Sequence, residues 1–140
     1  MPLLRSRHAE PLARLALFAG CTPAQLAAAR RQLTLVTVDA GTVLMHEGGL
    51  GLEFLVIADG EAIVTIGGQH VATLHQGDFA GEMSLLGNAR RSATVTAATP
   101  LAVYVANPTE FSTLLDVAPP VAERIVSTAA ARHEANRQAA

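Results

Sequence analysis

Residues 78–95 read DFAGEMSLLGNARRSATV, and they interrupt a chain that otherwise alternates apolar and polar positions on either side. Inside the stretch, Gly81–Gly87 has the spacing of a single short helix. A helix set into a run of short strands needs a cause. The amides at a helix N-terminus attract an anion, and the pair Gly81-Glu82 stands at that start. Nine positions after Glu82 comes Arg91, followed by the small residues Ser92 and Ala93. On an open surface such a carboxylate and guanidinium would neutralise each other. Around a buried pocket they can hold a hydroxyl and a phosphate of one small molecule.

Outward from this turn the period is two. Leu33–Val38, Thr42–His46, Glu53–Ala58, Ala62–Ile66, His70–His75, Ser92–Ala98 and Leu101–Ala106 read as strands. Asp39-Ala40-Gly41, Gly48-Gly49, Asp59-Gly60, Gly67-Gly68 and Gln76-Gly77-Asp78 punctuate them as turns. Short strands with glycine turns about every ten residues indicate a closed roll or a sandwich. Residues 2–31 are helical in composition, and Thr22-Pro23 followed by Gln25 makes an N-terminal cap. After the strands, Asn107-Pro108-Thr109-Glu110 caps a helix reaching about Asp116. Pro119-Pro120 opens a last helix to about Arg137.

At 140 residues with half of them hydrophobic, one domain with a buried core is expected over residues 1–140. N-terminal helices would occupy 1–31, the strands 33–106, and hinge and lid helices 107–140. The net charge is −2, and all ten basic residues are arginine. That balance lacks the clustered positive charge of a nucleic-acid footprint, so direct DNA binding is not expected. A single cysteine, Cys21, excludes an internal disulfide and reads as a packing residue. No apolar run reaches the ~18 residues of a membrane span. Arg5, Arg7, His8, Glu10 and Arg14 break up the N-terminal leucines, against a secretory signal. The expected location is cytoplasmic, away from membranes.

The run Phe79-x-Gly81-Glu82-Met83-Ser84-Leu85-Leu86, then Arg91-Ser92-Ala93, resembles the phosphate-binding cassette of cyclic-nucleotide-binding domains. That family includes the catabolite activator and the regulatory subunits of cyclic-AMP-dependent kinase. Ala40-Gly41-Thr42-Val43-Leu44 and Val56-Ile57-x-x-Gly60 are similar to its roll pattern, so the likeness covers nearly the whole chain. The resemblance implies a mainly β fold with flanking helices, a jelly-roll-like β-roll of about eight strands carrying the cassette at 78–95. It also implies a sensor that binds a cyclic nucleotide and has no catalytic activity or cofactor.

Arg91 presents a planar fork of donors suited to the exocyclic oxygens of a cyclic phosphate. The amides of Ser92, Ala93 and the Gly81–Met83 turn can add hydrogen bonds, and small Ala93 permits close approach. Arg90 is the rival for the phosphate, but the Ser-Ala step favours Arg91 and leaves Arg90 a solvated neighbour. Glu82 would repel a phosphate, so its partner is a hydroxyl, the ribose 2′-hydroxyl by the resemblance. The resemblance also puts Val64, Val71 and Ala72 beside base and sugar, with Arg132 stacking on the ring and Asn136 at the adenine edge. Family members with threonine after the arginine favour guanine; Ser92 therefore favours cyclic AMP, with cyclic GMP the second ligand. Ala80, between Phe79 and Gly81, departs from some members though not from the catabolite activator. Since the 140 residues hold no long dimerising helix and no effector domain, output is expected through an effector protein in trans, and homodimerisation stays open.

Two readings compete. His46, Glu47, His70 and His75 suggest a cupin-like metal enzyme, but the chain has no His-x-His and period two sends His70 and His75 to opposite faces. A roll surviving as an interaction scaffold is the other. Both Glu82 and Arg91 argue against it, because a buried guanidinium without an anion is costly. Gly48-Gly49-Leu50-Gly51 fits no P-loop, which ends in Gly-Lys-Ser/Thr. Ser84 and Ser92 belong to no nucleophile elbow.

Overall fold

The computed structural model describes the backbone of residues 11–50, 52–87 and 90–139, and side chains as far as Ala135. Two turns of 3-10 helix, Leu12–Arg14 and Ala16–Phe18, precede α1 (Pro23–Arg31). The strands are β1 (Thr34–Val38), β2 (Val43–Met45), β3 (Phe54–Asp59), β4 (Ala62–Ile66), β5 (Gln69–Leu74) and β6 (Phe79–Ala80). A short helix α2 (Glu82–Gly87) comes next, then β7 (Thr94–Ala97) and β8 (Leu101–Ala106). The helices α3 (Pro108–Val117) and α4 (Pro119–Ala139) complete the order.

The eight strands form two four-stranded sheets, β1-β8-β3-β6 and β2-β7-β4-β5. Every pairing is antiparallel. The run Phe54-Leu55-Val56-Ile57-Ala58 is apolar without interruption because β3 is buried on both faces. Phe54, Val56 and Ala58 face the helices, in a core with Phe18, Phe111, Leu114, Val121 and Ile125. Leu55 and Ile57 face the interior of the roll, with Met45, Leu74, Val95 and Val103. Alternation sends successive side chains to opposite sides, so this strand serves two cores. Phe54 packs its ring 4.8 Å from Phe111 and 5.7 Å from Phe79, which ties α3 to the strand leading into α2.

Helix starts follow the expected caps. Thr22 and Gln25 make a reciprocal capping box at α1, and Asn107 and Glu110 make another at α3. The helical expectation for residues 11–22 is corrected: Pro11 and Gly20 bracket two 3-10 turns there. Residues 1–10, expected within the N-terminal helices, lie outside the described residues. The strand missing from the sequence reading is β6, a two-residue segment paired to Leu55 and Val56. Cys21 is half-buried and packs against the helix-side core. Among the described residues no helix is long and apolar enough to cross a membrane.

Candidate functional site

A cavity of about 270 Å³ opens between the second sheet, α2 and α4. Gly81, Glu82, Met83, Arg91, Ser92 and Ala93, all expected at the site, line it. Val64, Val71 and Ala72 line its apolar side. There β4 and β5 pair Val64 with Ala72 before a bulge shifts the register. Arg132 reaches it from α4. Ten expected residues therefore meet around one space. The eleventh, Asn136, lies outside the residues whose side chains are described.

Arg91 is only 7% exposed. Its main chain is pinned to the glycine turn after β2. Its N–H donates to Gly49 O at 2.8 Å and its carbonyl accepts from Gly48 N–H at 2.8 Å. The guanidinium donates through Nη1 to Gly81 O (3.0 Å) and Ser84 Oγ (2.8 Å), and through Nη2 to Glu53 O. An arginine has five N–H donors, so two remain uncommitted among the described residues. Burial pulls the Arg91 pKa below the ordinary arginine value, and the charges of Glu53 and Glu82 oppose that shift. Arg90 is exposed and donates to Gly48 O at 3.0 Å, so the two neighbouring arginines separate as expected.

Glu82 is 1% exposed. Its Oε1 accepts from Arg132 Nη1 at 2.7 Å, while Oε2 is buried with no hydrogen-bond partner among the described residues. A buried carboxylate oxygen without a donor is unfavourable, and native structures rarely carry one without a bound water, ion or ligand or a strained or reactive site to account for it. Arg132 also lies over the Phe79 ring, 5.0 Å from its centre. The guanidinium expected to stack on a base is thus committed to Glu82 and Phe79. Gly81 has φ +98°, and a Cβ there would lie 2.8 Å from Arg91 Nη1 and 2.9 Å from Met45 Cε. Only glycine fits beneath the arginine.

The residues of the metal reading do not converge. Glu47 Oε1 accepts from Gly67 N–H at 2.9 Å, and His70 Nε2 lies 3.0 Å from Thr73 Oγ1. His75 faces Glu61 at 3.3 Å and Asp78 at 3.8 Å. Among the described residues, no three His, Cys, Asp or Glu side chains gather as ligands.

The family model of the cyclic nucleotide-binding domain matches residues 35–117, from β1 to the end of α3. The chain belongs to that family. The cyclic nucleotide-binding domain described above is similar to the cAMP-dependent protein kinase regulatory subunit of Yarrowia lipolytica. The two are 45% identical over 85 residues, 59% of this chain and 23% of that protein. It is also similar to the acetyltransferase Pat of Mycolicibacterium smegmatis, 34% identical over 136 residues, covering 94% of this chain and 40% of the relative. The chain thus spans less than half the length of both relatives. Among solved structures, the catabolite activator protein of Thermus thermophilus superposes with a TM-score of 0.75 at 27% identity. That match covers 87% of this chain and 60% of the other.

Sequence reasoning missed two parts of this cyclic nucleotide-binding domain. Ser84 fits no nucleophile motif, yet its hydroxyl is buried against Arg91. Its signal was the Gly81-x-x-Ser84 spacing, which lets a hydroxyl bond back to the carbonyl three residues earlier. The Arg132–Glu82 pair joins residues fifty positions apart, and no local pattern announces it.

Proposed function

We propose that this cyclic nucleotide-binding domain is a non-catalytic receptor for cyclic AMP, with cyclic GMP the weaker ligand. The observation that carries the reading is Glu82 Oε2, buried and unpartnered in the same cavity as a guanidinium with two uncommitted donors. Such a carboxylate oxygen calls for a hydroxyl, and such a guanidinium calls for an anion. A ribose cyclic phosphate offers both on one rigid ring.

In this reading Arg91 holds the exocyclic phosphate oxygens, helped by the amides of Ser92, Ala93 and the Gly81–Met83 turn. Glu82 accepts from the 2′-hydroxyl, and Val64, Val71 and Ala72 form the apolar bed for the base. Ser92 in place of threonine supports adenine over guanine, and the name of the Yarrowia relative agrees. The pair Glu82–Arg132 gives a ligand on Glu82 a physical route to α4. That helix shifts only as far as the ligand's affinity differs between its two positions.

Calorimetric titration with cyclic AMP and cyclic GMP tests the reading. A charge-assisted hydrogen bond contributes roughly 1.5–3 kcal/mol, so Arg91→Ala should weaken cyclic AMP binding by about 10- to 150-fold. Circular dichroism confirms that the variant is folded. Unchanged affinity in a folded Arg91→Ala protein, or no binding by the parent protein at millimolar ligand, refutes the proposal.

A further inference from the structure

Among the described residues three groups hold the Arg91 guanidinium, and two of them, Gly81 O and Glu53 O, are main-chain carbonyls. Ser84 Oγ is the only side chain among these hydrogen-bond partners. Main-chain carbonyls come with the fold whatever the sequence. The hydroxyl at position 84 is therefore the one hydrogen-bond partner of the guanidinium that the residue type decides.

Its geometry suits that task. Ser84 is 5% exposed, the third residue of α2, and lines the cavity. The oxygen accepts from Arg91 Nη1 at 2.8 Å, a short contact to a charged donor, the stronger class of hydrogen bond. The hydroxyl has one hydrogen of its own, which it donates to Gly81 O at 3.4 Å. That is longer than the usual range for hydroxyl bonds. The close bond to the guanidinium thus decides the hydroxyl's orientation, and the contact back to Gly81 is secondary. Arg91, Ser84 and Gly81 O form a closed triangle, because Gly81 O also accepts from Arg91 Nη1 at 3.0 Å.

We infer that Ser84 is a positioning residue for the anion site: its hydroxyl takes one of the two Nη1 hydrogens and fixes the plane of the guanidinium, leaving the two uncommitted donors aimed for a phosphate. With both Nη1 hydrogens on Ser84 Oγ and Gly81 O and one Nη2 hydrogen on Glu53 O, the Nε hydrogen and the second Nη2 hydrogen are the donors left for an anion. Without that hydroxyl the guanidinium keeps its carbonyl anchors but can rotate about them, and the free donors lose their fixed direction. The inference rests on Arg91 being the phosphate ligand. It adds that the arginine's competence depends on one hydroxyl in α2.

The test is a double-mutant cycle on cyclic AMP affinity, measured by competition against a fluorescent cyclic nucleotide. Ser84→Ala is expected to weaken binding by about 5- to 30-fold. Ser84→Cys keeps the unbranched shape in a somewhat larger side chain but offers a weak acceptor, and it should fall with the alanine variant. In the Arg91→Ala background, Ser84→Ala should change affinity by less than about twofold, since the residue it positions is gone. Cysteine binding as tightly as serine overturns the inference. So does an equal loss on Ser84→Ala with and without Arg91, because a role in helix packing alone would produce both. Either result leaves the receptor reading standing, whereas failure of the parent protein to bind cyclic AMP fails that reading instead.

Discussion

Gly81 is where the carbonyl of Glu53, the Arg91 guanidinium and the Met45 side chain close around one backbone atom. Its φ of +98° is open to glycine and strained for any other residue, at a penalty of about 1–3 kcal/mol. Gly81→Ala adds a second effect, because its methyl would sit 2.8 Å from Arg91 Nη1 and push the guanidinium off its seat. The expected outcome is a destabilisation of roughly 1–3 kcal/mol in urea unfolding, together with about a tenfold loss of cyclic AMP affinity. A variant as stable as the parent with unaltered binding would show that the arginine does not depend on this close approach. At this scale the sequence was legible where chemistry and spacing coincide. A glycine, a carboxylate and an arginine at fixed intervals point to one cavity, and all three line it. Ser84 was less legible, because a serine on a helical turn is ambiguous until the fold shows what its oxygen faces.

Between elements, the contact of most consequence runs from α4 to the first residue of α2. Arg132 meets Glu82 at 2.7 Å and covers the Phe79 ring at 5.0 Å. It thereby fastens the last helix to both the short helix and the strand before it. Glu82 is buried, whereas the Arg132 side chain is 31% exposed, so solvent screens part of the attraction between them. Arg132→Ala should still destabilise the protein by about 1–2 kcal/mol, since a buried carboxylate oxygen loses its donor. Adding Glu82→Gln should recover part of that loss, and a thermal-unfolding cycle over the two sites reads the coupling directly. Additive effects would mean that the pair does not hold α4. Such a link escapes sequence reading because it depends on fifty intervening residues folding first. β6 escaped for a different reason: two residues are too few to establish a period, and Phe79-Ala80 is a strand only because β3 offers it an edge. The long alternating runs and the capping boxes, which need no partner to be recognised, were legible.

Over the whole molecule, the second sheet, the short helix and the last helix enclose one cavity. Among the described residues its charged lining side chains are Glu82, Arg91 and Arg132. Together they carry one net positive charge, set against an apolar wall from β4 and β5. A cyclic phosphodiester carries a single negative charge and balances that set. A 5′-monophosphate with a second negative charge exceeds it and would face Glu82 with the excess. The cavity should therefore separate cyclic AMP from 5′-AMP by charge as well as shape, although base and sugar are shared. Thermal unfolding measures this without any variant, because a ligand that binds only the folded state stabilises it in proportion to its occupancy. At a hundred times its dissociation constant the stabilisation is about 2.7 kcal/mol, which for a chain of this size raises Tm by roughly 5–11 °C. Cyclic AMP is expected to give that shift, and 5′-AMP at the same concentration a shift smaller by at least half. Equal shifts for the two nucleotides would mean that the ring of charge at the cavity does not select the diester. No shift from either would remove the cavity as a nucleotide site altogether.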